Sequence, residues 1–148
     1  MCGNNSRPSY GGAIAILNPL ERIPGGLPSP ETAVSGRLLF HSARDDTLAT
    51  DATFVHDEDA GCGGEALYTI GIHKLGDLTT SALVSPFIHK FNLGGKDSDC
   101  NTEPRALSAS LSHPLRIEVG HEGIIGRRVT VWKQGGASPL AEGIIGYN

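Results

Sequence analysis

Twenty glycines and nine prolines divide this chain of 148 residues into short segments, and that spacing is the strongest constraint on its fold. Turn-forming residues at this density leave no long apolar stretch of helical character. The segments between them alternate instead, as in Val34 to His41, where every second residue from Val34 is apolar or glycine. Many short strands joined by turns are typical of a β-sandwich or a β-barrel. The sequence therefore predicts an all-β protein.

Eight strands are predicted from these runs, and each sheet is expected to have one buried face and one solvated face. The stretch 76–104 is predicted to be a loop. In the strand that follows 111, we expect Leu115, Ile117 and Val119 to face inward. The predicted strands, in chain order, cover residues 13–17, 34–41, 47–56, 66–75, 106–111, 115–119, 123–132 and 141–147.

The length suits one domain with a real core, which we place at 13–148, after a polar, glycine-rich segment at 1–12 that is expected to be flexible. A formal net charge of −4 argues against binding to nucleic acid or to anionic membranes, since both need a basic surface. The sequence contains no run of 18 apolar residues, so a transmembrane helix is not expected. Residues 1–8 lack the apolar core of a secretory signal. A cytoplasmic location is the resulting expectation.

The cysteines are three in number, an odd count, and they lie far apart at Cys2, Cys62 and Cys100. A small secreted domain stapled by disulfides would carry an even set at closer spacing. Free thiols in a reducing compartment are therefore favoured, and a Cys62–Cys100 bridge is left open.

Five segments, in chain order, resemble the copper/zinc superoxide dismutase family. Val34-Ser-Gly-Arg-Leu-Leu-Phe40 is similar to the family's second strand, and Gly71-Ile-His-Lys-Leu-Gly-Asp77 to its His-Val-His-Glu-Phe-Gly-Asp strand. The segment 85–92 resembles Gly-Pro-His-Phe-Asn, 121–132 resembles the Ile-Ile-Gly-Arg strand, and 140–146 resembles the closing Leu-Ala-Cys-Gly-Val-Ile-Gly. The resemblance implies an eight-stranded Greek-key sandwich or barrel, in agreement with the independent strand count.

The same resemblance implies a metal site that has lost half of its copper ligands. His73 and His89 fall on two of the family's four copper-binding histidines, whereas Gly71 and Trp132 occupy the other two positions. Glycine has no side chain, and an indole has an N–H donor but no lone pair to give a metal. We expect no metal or weakly bound copper. Zinc is not expected, because the family's histidine-rich subloop is nearly absent.

Other catalytic parts of the family also lack counterparts in this chain. Ser138-Pro139 stands where the family's anion-guiding arginine would be, and Glu142 replaces one cysteine of the family's disulfide. The segment 79–85 contains no cysteine that could replace the other. Without that arginine, an acidic protein repels superoxide rather than steering it to a metal. An efficient dismutase is therefore not expected.

Two structural hypotheses follow for the degenerate site. Trp132 could fill the former copper space, with Gly71 giving the indole room. Glu118, His121 and Glu122 could in principle supply extra ligands, although an exposed polar corner between two strands is favoured for them.

The favoured function is a non-catalytic dismutase-like protein that acts through protein–protein contact, as a homodimer or as a heterodimer with a related dismutase. The alternatives are a copper-only dismutase, or a weak copper-binding protein, that uses His73 and His89. The resemblance to the family's twofold contact identifies these candidate dimer residues: Gly76, Asp77, Ile124, Ile125, Gly126, Ile145 and Tyr147.

Overall fold

The computed structural model describes residues 11–20, 34–42, 47–56, 67–94 and 106–148. The three cysteines and residues 1–10 of the predicted flexible segment lie outside the described residues. Within these ranges the chain forms strands and turns, and no helix there is long and apolar enough to cross a membrane. The eight strands are β1 (Ala13–Pro19), β2 (Gly36–His41), β3 (Leu48–His56), β4 (Tyr68–His73), β5 (Phe87–Leu93), β6 (Ala106–Arg116), β7 (Arg128–Lys133) and β8 (Pro139–Tyr147).

The strands form one antiparallel sheet in the order β5-β4-β7-β8-β1-β2-β3-β6. In this order β3 is not a neighbour of β4, and β6 is not a neighbour of β7. The chain therefore crosses between distant strands after β3 and again after β6. The sheet curls into a nearly closed barrel, in which β5 and β6 contact each other. In the part of the chain that is described, no ladder pairing joins these two strands. The prediction of an all-β sandwich or barrel with eight strands is confirmed.

The core lies inside the barrel and is built from the inward row of each strand. The alternation predicted for β2 is confirmed, since Leu38 and Phe40 are buried, whereas Arg37 and His41 are exposed and Leu39 is half-buried. Gly36 belongs to the same row, and a Cβ there would lie 2.2 Å from the carbonyl oxygen of Val55. A glycine is therefore needed where β2 approaches β3. The largest buried core side chains are Leu17, Leu38, Phe40, Phe54, Ile70, Ile72, Leu93, Ile124, Val129 and Ile145.

Three strand predictions were wrong. The stretch 76–104 was predicted to be a loop, but it contains β5, whose residues from Phe87 to Asn92 alternate between half-buried and exposed positions and whose last residue, Leu93, is buried. The stretch 123–132 was predicted to be a strand throughout, but β7 begins only at Arg128. Before Arg128 the chain turns, and Gly126 there has a φ of 83°.

The stretch predicted as two strands, 106–111 and 115–119, is largely one strand, β6. It continues through Pro114, which lies where the register against β3 shifts, between the pairs Ala49–Leu115 and Asp51–Ser110. The missing N–H of the proline therefore interrupts no paired residue. The strand ends at Arg116, and Val119, which was predicted to face inward, is 70% exposed.

Candidate functional site

The candidate site lies on the outer face of β4 and β7, opposite the core. Alternation turns Ile70 and Ile72 of β4 inward, so Gly71 and His73 point outward. In β7, Thr130 and Trp132 likewise point outward, and the register places Thr130 opposite Gly71. Residues 74–86, the β4–β5 loop, cover this face. His73 and Thr130 are consequently fully buried although they lie outside the barrel.

A chain of hydrogen bonds runs through this face. The Trp132 Nε1–H donates to Thr130 Oγ1 over 2.8 Å, and Thr130 Oγ1 lies 2.9 Å from His73 Nε2. At the other side of the ring, His73 Nδ1 lies 3.2 Å from the carbonyl oxygen of Ser85. A carbonyl can only accept, so Nδ1 carries the proton, and Nε2 of the neutral ring accepts from the Thr130 hydroxyl. Both nitrogens of His73 are thereby engaged.

The electrostatic environment of His73 favours this neutral ring. Burial lowers the pKa of His73 from the ordinary value of 6.5, and the nearby Arg128 cation lowers it further. The hydrogen bond to Ser85 acts in the opposite direction. Both lowering causes, desolvation and a like charge, favour the uncharged form of His73.

Phe87 fills the space above Gly71. A Cβ on Gly71 would lie 2.3 Å from Cε1 of Phe87, whose ring centre is 4.4 Å from that of His73 and 6.1 Å from that of Trp132. Lys90 places its ammonium 5.1 Å from the same ring. The hypothesis that Trp132 occupies the room left by Gly71 is corrected in one respect. Trp132 belongs to the cluster, but the ring that requires a glycine at 71 is Phe87.

The structure does not bring His73 and His89 together. The register pairs His89 with Ile72, which faces the core, and pairs His73 with Phe87 on the outer face. An irregularity between these two pairs, a β-bulge, shifts β5 by one residue and turns Phe87 toward the outer face. Burial lowers the pKa of His89, and the charges of Arg127 and His113 lower it further.

These residues fit a copper ion poorly. Of the four positions that the resemblance assigns to copper ligands, Gly71 has no side chain and Trp132 donates its N–H to Thr130. At a third, the Nε2 lone pair of His73 already accepts a hydrogen bond from Thr130. Among the described residues, no three side chains of His, Cys, Asp or Glu converge in a way that could hold a metal. The corner residues Glu118, His121 and Glu122 are exposed, as favoured, and Arg116 forms ion pairs of 3.7 and 3.4 Å with the two glutamates.

Arg128 is a buried charge that the sequence analysis did not single out. Its side chain is 2% exposed and forms an ion pair with Glu142, to which both Nε and Nη2 donate. Its Nη1 donates to the carbonyl oxygens of Asp77 and Thr80, at 3.2 and 2.6 Å. Every arm of the guanidinium is thus engaged, and the residue joins β7, β8 and the β4–β5 loop.

The candidate dimer residues divide between surface and interior. Ile124 and Ile145 are buried in the core, and Gly76 packs against the backbone carbonyl of Gly126, where a Cβ would lie 2.1 Å from the oxygen. Tyr147 is 63% exposed and Ile125 is half-buried. Hydrogen bonds from Thr79 and Thr80 to the exposed carboxylate of Asp77 lower its pKa to about 2.

An apolar groove lies beside these residues, on the outer face of β1 and β8. Ile14 and Ile16 of β1 and Ile144 of β8 line it, together with Leu78 from the β4–β5 loop and Glu142. Ile16 is 52% exposed, and Leu78 and Ile144 are also exposed. The sequence analysis missed Ile14, Ile16 and Leu78, although the alternation of β1 places both isoleucines opposite the buried alanines.

Comparison of the chain with protein-family models and with curated proteins gave no match. Its kinship with the dismutase family consequently stays a prediction from the five segments. The signals for the missed site residues were partly present in the sequence. Arg128, Thr130 and Trp132 alternate in β7 and so share a face, but the bulge that brings Phe87 to the same face leaves no mark in the sequence.

Proposed function

We propose that this protein is a copper/zinc superoxide dismutase-like barrel without efficient dismutase activity, which acts through contact with another protein. The observation that carries the proposal is the hydrogen-bond chain from Trp132 through Thr130 to His73. These hydrogen bonds occupy groups that a copper site would need, and the Phe87 ring fills the space above Gly71 with apolar volume. The strand order, with β4 between β5 and β7, supports a Greek-key barrel of the dismutase type.

The partner surface is the apolar groove, and its occupant is a second copy of this chain or a related dismutase. Exposed apolar side chains from two neighbouring strands and a loop form one continuous surface there. If two copies meet through this same surface, the contact is isologous and gives a closed twofold dimer. The residues of the predicted contact that remain accessible, such as Tyr147 at the end of β8, adjoin the strands that line the groove. The odd set of cysteines supports a reducing compartment, the cytoplasm.

Metal analysis tests the first half of this proposal. The protein, purified with copper and zinc present and then dialysed, is expected to retain well under one copper per chain and to remove superoxide no faster than its His73→Ala variant. A His89→Ala variant is expected to behave in the same way. Stoichiometric copper and superoxide removal that both depend on His73 would establish the alternative, a copper-only dismutase. Stoichiometric copper without turnover would establish the copper-binding protein.

Sedimentation tests the second half. We expect a concentration-dependent dimer that Ile16→Glu converts to a monomer, because a carboxylate in an apolar contact loses its water without gaining a partner. Val119 gives a matched control, since it is equally apolar, is 70% exposed and lies outside the groove. Val119→Glu should leave the dimer intact. A protein that stays monomeric alone, and with a related dismutase, at all accessible concentrations contradicts the proposed contact.

A further inference from the structure

The β4–β5 loop is attached to the barrel by few contacts, and Arg128 supplies those at its middle. From 74 to 84, Ala82 is the one buried residue of the loop. The hydrogen bonds from Thr79 and Thr80 to Asp77 stay within the loop and do not tie it to a strand. At its base, the Lys74 N–H donates to the Pro86 carbonyl over 2.9 Å, the backbone N–H of Arg128 donates to the Leu75 carbonyl over 3.2 Å, and Nη1 of Arg127 donates to the Lys74 carbonyl. The middle of the loop is joined to the barrel through the guanidinium of Arg128.

That guanidinium spans three elements at once. Two of its nitrogens donate to Glu142 of β8, whose side chain is 15% exposed, and the third nitrogen donates to the carbonyls of Asp77 and Thr80. A planar group with donors on both edges can hold both sides in fixed geometry, whereas a lysine ammonium on a flexible stem cannot reproduce that fork. The charge is balanced by Glu142, so the cation can stay buried.

Leu78 lies between the two carbonyls that Arg128 binds, and it forms one wall of the apolar groove. Fixing Asp77 and Thr80 therefore fixes the position of Leu78 relative to Ile16 and Ile144. We propose that Arg128 and Glu142 form an ionic strap that holds the β4–β5 loop against β8 and positions Leu78 for the partner. The role at the partner surface rests on the proposed function, whereas the role in holding the loop does not.

The strap works without a thiol. Glu142 stands where the resemblance places a cysteine, and residues 79–85 contain none, so the tie between this loop and β8 is ionic rather than covalent. The order of the loop is therefore independent of reductant. Arg128 is a positioning residue, since it is buried and does not line the groove itself.

Amide hydrogen exchange of Arg128→Lys tests the strap. The amides of Thr79 and Val84, which are both hydrogen-bonded, are expected to exchange at least tenfold faster, while the amide of Lys74 at the base of the loop and the amides of the β2–β3 ladder change much less. Arg116→Lys is the matched control, because Arg116 forms only exposed ion pairs with glutamates. In the wild type, adding a reductant should leave the exchange of the loop unchanged.

Several outcomes would overturn the strap. Loop amides that keep their wild-type rates in Arg128→Lys would do so. Rates that rise equally in the loop and in the ladder would assign Arg128 to overall stability alone, and faster loop exchange in reductant would reveal a thiol tie. If Arg128→Lys does not fold, Glu142→Gln, which removes the charge at equal volume, is measured instead with the same expectation.

Sedimentation of Arg128→Lys separates the strap from the proposed partner contact. If the wild type dimerises, the variant should dimerise at least tenfold more weakly, with Val119→Glu unchanged. Unaltered dimerisation with a loosened loop removes the positioning role. A monomeric wild type defeats the proposed partner contact, and the exchange measurement then still decides whether Arg128 holds the loop.

Discussion

Thr130→Val is the sharpest test of the packed site, because valine has the shape of threonine but lacks the hydroxyl that joins Trp132 to His73. The change leaves Nε2 of His73 as a fully buried acceptor without a donor, which costs about 1–3 kcal/mol. The Trp132 N–H is only partly buried and can bind water, so its loss adds at most about 1 kcal/mol. The added methyl group and the strand preference of valine offset part of this, on the order of 1 kcal/mol.

The expected net loss in the free energy of unfolding is therefore about 2 kcal/mol. For a domain of this size, that corresponds to a fall in Tm of roughly 4–8 °C. Urea unfolding followed by the fluorescence of Trp132, the one tryptophan of the chain, measures it, with circular dichroism as a second probe. An unchanged m-value is needed, so that the shift in midpoint reports stability.

Two variants control the experiment. Thr69→Val makes the same chemical change on β4, where the hydroxyl donates to Asn92 over 3.0 Å in an exposed position, and it should cost less than about 0.5 kcal/mol. Thr130→Ser keeps the hydroxyl and loses one methyl group, at about 1 kcal/mol. If Thr130→Val is as stable as Thr69→Val, or more stable than Thr130→Ser, the hydroxyl does not connect the site and the reasoning fails.

The remaining predictions concern pH and volume. Because the pKa of His73 is lowered in the folded protein, the unfolded chain binds a proton that the folded chain does not as pH falls below 6.5. The free energy of unfolding should therefore decrease from pH 6.5 downward, by up to about 1.4 kcal/mol per pH unit for this group, with His89 acting in the same direction. Urea titrations at several pH values should show a shallower slope for His73→Gln, and equal slopes would contradict the assignment. Gly71→Ala places a methyl group 2.3 Å from Phe87 and should cost about 1–3 kcal/mol, whereas Gly146→Ala, with nothing within 4 Å, should be nearly neutral. Thermal unfolding compares the two, and equal Tm values would show that Phe87 moves aside freely.

The fold could be predicted because its signals are local. Alternation over Val34 to Phe40 indicates which side chains of that strand face inward, and the frequent glycines and prolines indicate short strands, without any knowledge of partners. β5 was missed although its residues alternate. Its exposed positions include apolar Ile88 as well as charged Lys90, so the polar face of the strand is not clear in the sequence. No sequence signal marks the boundary between β5 and the loop before it. The continuation of β6 through Pro114 depends on the register shift against β3, and that is a property of the sheet rather than of the segment.

The candidate site was predictable in position but not in content. Spacing alone puts Gly71 and His73 on one face of β4, and the structure confirms that they share it. What surrounds them depends on a register shift in β5 and on the covering loop, which bring Phe87 and Ser85 to the imidazole. Such non-local contacts decide whether a histidine at this position is a ligand or a packed residue.

The geometry also indicates that packing, and not only the missing ligands, separates this site from a metal centre. Any side chain at 71 begins with a Cβ, and that atom would collide with Phe87 at 2.3 Å. A histidine at 71 therefore requires Phe87 to leave, and a histidine at 132 removes the donor that completes Thr130. Freeing Nε2 of His73 would further require the Thr130 hydroxyl to turn toward the Gly71 carbonyl, which lies 3.5 Å away. Each change that would add a copper ligand thus removes a contact that now stabilises the site. The residues at 71, 87 and 132 therefore depend on one another and would have to be replaced together.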